Sequence, residues 1–131
     1  MKYRYNTIPD RVVMLIQVLL EFHSNVNIEL EMTYEFCCGA CTSYKGDTPL
    51  HSAVRFELID IVQILLVYHL KSFHHVETAL NIAKTDLKSF IPVTCGNKDH
   101  IMRLQNIIHC IEVWRRQQIY LYLIIESMEK Q

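Results

Sequence analysis

Residues 46–66 read GDTPLHSAVRFELIDIVQILL, and the order of those residues decides the fold. Thr48 suits a helix N-cap, because its hydroxyl accepts a backbone N–H of the first turn. Pro49 follows at the first helical position, where its missing N–H costs nothing. Leu50, Ala53 and Val54 then fall at i, i+3 and i+4 and make one apolar face. Ser52 and Ala53 are small, so another helix can come close. This first helix has to be short, since Asp60 reads as the N-cap of a second. Behind it, Ile61, Val62, Ile64, Leu65 and Leu66 are apolar on too many sides for a surface helix. Two short helices joined by a tight turn cannot bury that much apolar surface alone. The unit therefore needs copies stacked on both sides.

The order recurs. Residues 16–27, IQVLLEFHSNVN, and residues 61–69, IVQILLVYH, share an I/V–Q–V/I–L–L core. Residues 77–83, ETALNIA, repeat the helix start, with Thr78 as cap and Leu80 and Ala83 facing inward. Thr48 and Thr78 stand 30 residues apart. A later run from Asp99, DHIMRLQNIIHCIEV, supplies the matching second helix. Residues 28–45 form an inserted finger, and residues 84–98 separate the two helices of the later unit.

GDTPLHSAV…IDIVQILL resembles the ankyrin repeat, whose signature is a turn, TPLH, a short helix, a loop and a longer helix ending in paired leucines. The interval of 30 is close to the family period of about 33. Three positions depart from the pattern. His23 and His69 stand where the family has a helix-ending glycine, and Glu57 where it often has a glycine between helices. The resemblance implies an all-α solenoid with finger loops, organised as a single domain over 1–131. A partial repeat occupies 9–27, the finger 28–45, the best repeat 46–70, a divergent repeat 76–114 and a capping helix 115–130. Ile119 to Ile125, IYLYLII, is apolar on nearly every side and needs cover from the third repeat or another chain.

The same resemblance implies protein–protein recognition through a concave surface, as an adaptor or regulatory scaffold. Contacts are expected from fingertips and from the exposed side of the first helices. In the best repeat these are Tyr44, Lys45, Asp47, Arg55 and Phe56. In the next they are His74, His75, Glu77, Thr85 and Asp86, with the two histidines at a fingertip. Tyr44, Phe56 and Arg55 are the anchor candidates, because aromatics and arginine dominate binding hot spots. His51 of TPLH is expected to hydrogen-bond between repeats rather than to act in catalysis. Each contact residue is also explained as ordinary solvated surface.

Composition narrows the remaining classes. The chain has 131 residues, 50% of them hydrophobic, so one domain with a core is expected. Thirteen basic and 14 acidic residues give a net charge of −1, unlike the basic excess of a nucleic-acid binder. MKYRY and WRRQQ mix bases with aromatics, yet solvated ends explain them as well. Five cysteines and no leader-like start suggest reduced thiols and a cytoplasmic, or alternatively nuclear, location. No apolar run approaches the ~18 residues of a membrane span. Cys38 and Cys41, beside Cys37 in CCGAC, have the C-x2-C spacing of a zinc knuckle, but no second pair completes it. A zinc- or redox-dependent module on that finger is the first alternative function. A substrate-recognition subunit in ubiquitin ligation is another, and a membrane-linked receptor tail a third. Phosphate-binding, dinucleotide, zinc-protease and nucleophile-elbow motifs are all missing, so neither enzymatic activity nor a cofactor is expected. Self-association through apolar ends, or membership of a longer array, is the remaining partner reading.

Overall fold

The computed structural model describes residues 10–21, 27–35, 42–68, 73–90 and 95–130. Within them the order is α1 (Asp10–Glu21), β1 (Tyr34–Glu35), β2 (Thr42–Ser43), α2 (Pro49–Arg55), α3 (Ile59–Tyr68), α4 (Phe73–Ser89) and α5 (Lys98–Glu129), with a short 3-10 turn at Cys95–Asn97 before α5. The architecture is helical apart from one antiparallel hairpin, in which Tyr34 pairs with Ser43 and Glu35 with Thr42. The expected all-α class holds.

Helices α2 and α4 pack side by side as an inner layer. Behind them α1, α3 and α5 follow one another as an outer layer, joined by α2–α3 and α4–α5 packing. Leu50, Ala53 and Val54 from α2 meet Val76, Ala79, Leu80 and Ala83 from α4 in one core. The outer layer contributes Ile61, Val62, Leu65 and Leu66 from α3 and Leu104, Ile107 and Ile111 from α5. The small Ala53, Ala79 and Ala83 let α2 and α4 approach closely, as the short side chains predicted.

The start and end of α2 follow directly from its sequence. Thr48 is extended (φ −87°, ψ 169°) and closes a capping box with His51, with Pro49 next in the first turn. At the other end Glu57 N–H donates to Val54 O (3.0 Å) and Leu58 N–H to Ala53 O (2.9 Å). That pair of bonds is a Schellman ending, which requires a left-handed residue at Glu57. Its φ is indeed +59°. A glutamate there costs about 1–2 kcal/mol that glycine would avoid.

The side chain of Glu57 explains its presence. Its carboxylate accepts from His100 Nδ1 (2.9 and 2.8 Å) and from Arg103 Nε (2.9 Å), both on α5. His100 in turn stacks on Phe90 at 5.0 Å. The left-handed cap thus ties the end of α2 to the start of α5. Glu57→Ala is expected to lose about 1–3 kcal/mol in urea unfolding, because the anchor goes and the strain stays. Glu57→Gly should lose less, since it also relieves the backbone. Equal losses would show that the left-handed strain is negligible.

Several boundaries differ from those expected. Asp60 is not an N-cap: α3 already begins at Ile59, and Asp60 lies in its first turn, where its charge still favours the helix dipole. Thr78 is not a cap either. Helix α4 begins five residues earlier at Phe73, because His74 to Glu77 extend the same amphipathic face through Val76. The same helix runs on to Ser89, so residues 84–89 of the separation expected over 84–98 are helical. Helix α5 passes through residues 114 and 115 without a break, so the helix expected to cap 115–130 is a continuation of the preceding one. His23 and His69, with their helix-ending positions, lie outside the described residues.

Candidate protein-interaction surface

The finger turn before α2 is built from the inside outward. Gly46 takes φ +91°, a left-handed value that favours glycine, and reverses the chain after β2. Gly46 N–H donates to Leu30 O and Leu30 N–H to Asp47 O, both at 2.9 Å, which fixes the turn to the preceding segment. Ser43 and Ser52 hydroxyls meet at 3.3 Å, seating the hairpin on α2. Lys45 N–H donates to Thr33 Oγ1 (3.0 Å), and the Lys45 side chain is exposed.

Tyr44, Asp47 and Arg55 form one interlocked group. Asp47 is buried, and its carboxylate accepts from Tyr44 N–H (3.0 Å), Arg55 Nε (2.7 Å) and Arg55 Nη2 (3.2 Å). The two-pronged arginine contact is the strong, oriented kind. The same guanidinium lies 4.5 Å over the Tyr44 ring. Asp47 therefore faces inward and supports the surface rather than presenting itself. Tyr44 is held in place yet remains 49% exposed. Phe56, at the C-cap of α2, is half-buried.

On α4 the expected contact residues divide. His74 and His75 lie in the first turn of the helix, not at a fingertip. His74 is exposed, while His75 is half-buried, edge-on to His51 at 5.8 Å and 3.7 Å from Glu29. Glu77 bonds Arg115 of α5 at 2.8 Å, which ties the two helices together. Thr85 is exposed. Burial pushes the Asp86 carboxyl above its usual value, with Arg55 opposing and Glu57 adding to the rise. Asp86 thus lies within electrostatic reach of Arg55 and Glu57.

His51 links α2 to α4 through side chains. Thr48 N–H donates to its Nδ1 at 2.9 Å, which makes Nδ1 an acceptor. The proton of the neutral ring must then sit on Nε2, which donates to Thr78 Oγ1 at 2.6 Å. The Thr78 hydroxyl passes its own proton to His75 O at 3.0 Å. Burial holds His51 below the ordinary histidine value; Asp47 opposes this, while His75, Arg55 and His74 reinforce it.

Residues 45–72 match the family model for the ankyrin repeat. Over these residues the chain is similar to an ankyrin repeat. No curated protein and no solved structure matches the chain significantly. The matched ankyrin repeat contains α2, α3 and the turn that carries Lys45 and Asp47; the Glu57–His100–Arg103 clamp and the Thr78 bridge connect it to helices beyond the match. Sequence reading missed that clamp. Its signal was Glu57 itself, a charged residue at a glycine position.

Two open depressions flank the ankyrin repeat. One, about 350 Å³, lies between residues 28–34 and the start of α2 and carries Glu29 and Glu31 on its lip. The other, about 530 Å³, lies between α3 and α5 and is lined by Ile59, Leu66, Cys110 and Trp114. Burial pushes the Cys110 thiol above its usual value, so it is a poor nucleophile. Among the described residues, no three His, Cys, Asp or Glu side chains stand together as a metal site. Cys37, Cys38 and Cys41 lie outside the described residues. No described helix is long and apolar enough to cross a membrane.

Proposed function

We propose that this chain is a protein-recognition module, acting as an adaptor or regulatory scaffold through the finger turn and the exposed side of α2 and α4. The observation that carries this reading is Tyr44. It is a large aromatic, half exposed, fixed from below by a buried aspartate and from above by an arginine. A pre-ordered aromatic contributes binding surface with little loss of side-chain freedom. Lys45, Arg55, Phe56, His74 and Thr85 extend the surface around it. Asp47, His75, Glu77 and Asp86 hold its geometry.

Arg55 is a poor probe of this surface, because its removal leaves the buried Asp47 carboxylate without its guanidinium. Tyr44→Ala combined with Lys45→Glu is cleaner, since both side chains are exposed. Affinity capture with quantitative mass spectrometry should show a partner retained by the wild type and depleted about tenfold by the double variant. Circular dichroism of the two proteins should coincide. Equal retention by both would remove the finger turn from the binding surface.

A further inference from the structure

We propose that the outer half of α5, residues 117–129, pairs antiparallel with the same segment of a second copy of this chain. The argument starts from spacing. Leu104, Ile107, Ile111, Trp114, Gln118, Leu121, Ile125 and Met128 follow one another at alternating steps of three and four. That is the seam of a helix made to pack along its whole length against other helices. In its first part Leu104, Ile107 and Ile111 are fully buried within the core shared with α3 and α4.

The seam then outruns its cover. Helix α4 lies antiparallel to α5, and its first turn is reached where Glu77 bonds Arg115. Beyond that point every residue from Ile119 to Ile125 is a large hydrophobic and is 38–66% exposed, and Met128 is 68% exposed. A contiguous exposed apolar surface of this kind marks an interaction site. A lipid span does not explain the patch, because no described helix is long and apolar enough to cross a membrane.

Charge selects a second copy and its direction. Arg115 and Arg116 precede the patch, and Glu126, Glu129 and Lys130 follow it, Lys130 pairing with Glu126 of the same chain at 3.9 Å. A parallel pair would set like charges side by side. An antiparallel pair sets Arg115 of each chain, which flanks the seam, beside Glu129 of the other. Centred on Leu123, it faces Leu121 with the partner's Ile125 and Gln118 with the partner's Met128, and brings Arg115 near the partner's Glu129. Ile119, Tyr120 and Leu123 fall on the outer side of the pair, where a second pair can stack.

Sedimentation analysis of the whole chain tests the proposal. The wild type should have the mass of two or four chains of 15.5 kDa at micromolar concentration. Leu121→Glu with Ile125→Glu should sediment as a monomer, with an unchanged helix signal because both side chains are exposed in the protomer. Glu129→Lys should weaken association about tenfold at low salt, by setting a lysine beside the partner's Arg115. A monomeric wild type would overturn the proposal, as would association that survives the Leu121/Ile125 variant. If the lysine variant associates as tightly as the wild type, the antiparallel direction is wrong.

Discussion

Leu80→Ala should lower the stability of this protein by roughly 2–5 kcal/mol in urea unfolding followed by circular dichroism. Leu80 lies on α4 and is 1% exposed. It sits where the inner layer meets the outer one, since α4 packs on both α2 and α5. Removing its methyl groups leaves a cavity that neither neighbour can easily fill, because α2 is anchored at both ends by its cap and by Glu57. A domain of this size has only about 5–15 kcal/mol in total, so the loss would populate the unfolded state. Leu65→Ala, in the middle of α3, should fall in the same range. Val67→Ala on the exposed side of α3 should change stability by less than about 0.5 kcal/mol. A similar small change for Leu80 would refute the packing of α4 between two layers.

The second large effect is acid sensitivity through His51. Folding requires the neutral ring, because Nδ1 accepts from Thr48 N–H. Burial accordingly holds its folded pKa below the ordinary 6.5. Above that value both folded and unfolded chains leave the ring neutral, and the bridge from Thr48 through His51 to Thr78 is fully present. As pH falls through 6.5, the unfolded chain takes up a proton that the folded chain refuses. Stability then declines by up to about 1.4 kcal/mol per pH unit until the lower folded pKa is passed.

Unfolding curves between about pH 7.5 and 5.5 cover this window. The raised Asp86 carboxyl acts in the opposite sense, favouring the folded state as pH falls. A comparison variant isolates the contribution of His51. His51→Gln is that variant: glutamine three residues after Thr48 can still close the capping box but carries no charge. The wild type should lose more stability than this variant across the window. Parallel pH profiles would show that His51 is not the acid-sensitive group. His51→Ala should cost about 1–3 kcal/mol at neutral pH, because it also strands the Thr48 and Thr78 groups.

The local steps of this fold were legible in the sequence. Thr48, Pro49 and the Leu50–Ala53–Val54 face define α2, since caps and 3.6-residue periodicity act within a few residues. The apolar run after Asp60 announced a sandwiched α3 for the same reason. The unit that needs neighbours on both sides was legible too, because a helix apolar on most sides has no solvent face. The match to the ankyrin repeat over 45–72 rests on these local features.

Only the tertiary structure decided the rest. Thr78 reads locally as a cap, yet packing of Val76 and Ala79 against α2 carries α4 back to Phe73. Whether Asp47 and Glu77 face a partner or a neighbouring arginine depends on residues 8 and 38 positions away, which no local pattern encodes. Glu57 is a misfit by sequence alone; in three dimensions its carboxylate reaches His100 and Arg103, 43 and 46 residues on, and offsets its left-handed backbone. The sequence by itself determined where helices begin, which faces are apolar and that they stack. The fold decided which charged groups are taken up inside and which, like Tyr44 and the outer seam of α5, remain to meet another molecule. Helix and cap preferences are local energies, whereas the destination of a side chain depends on what distant chain is packed beside it.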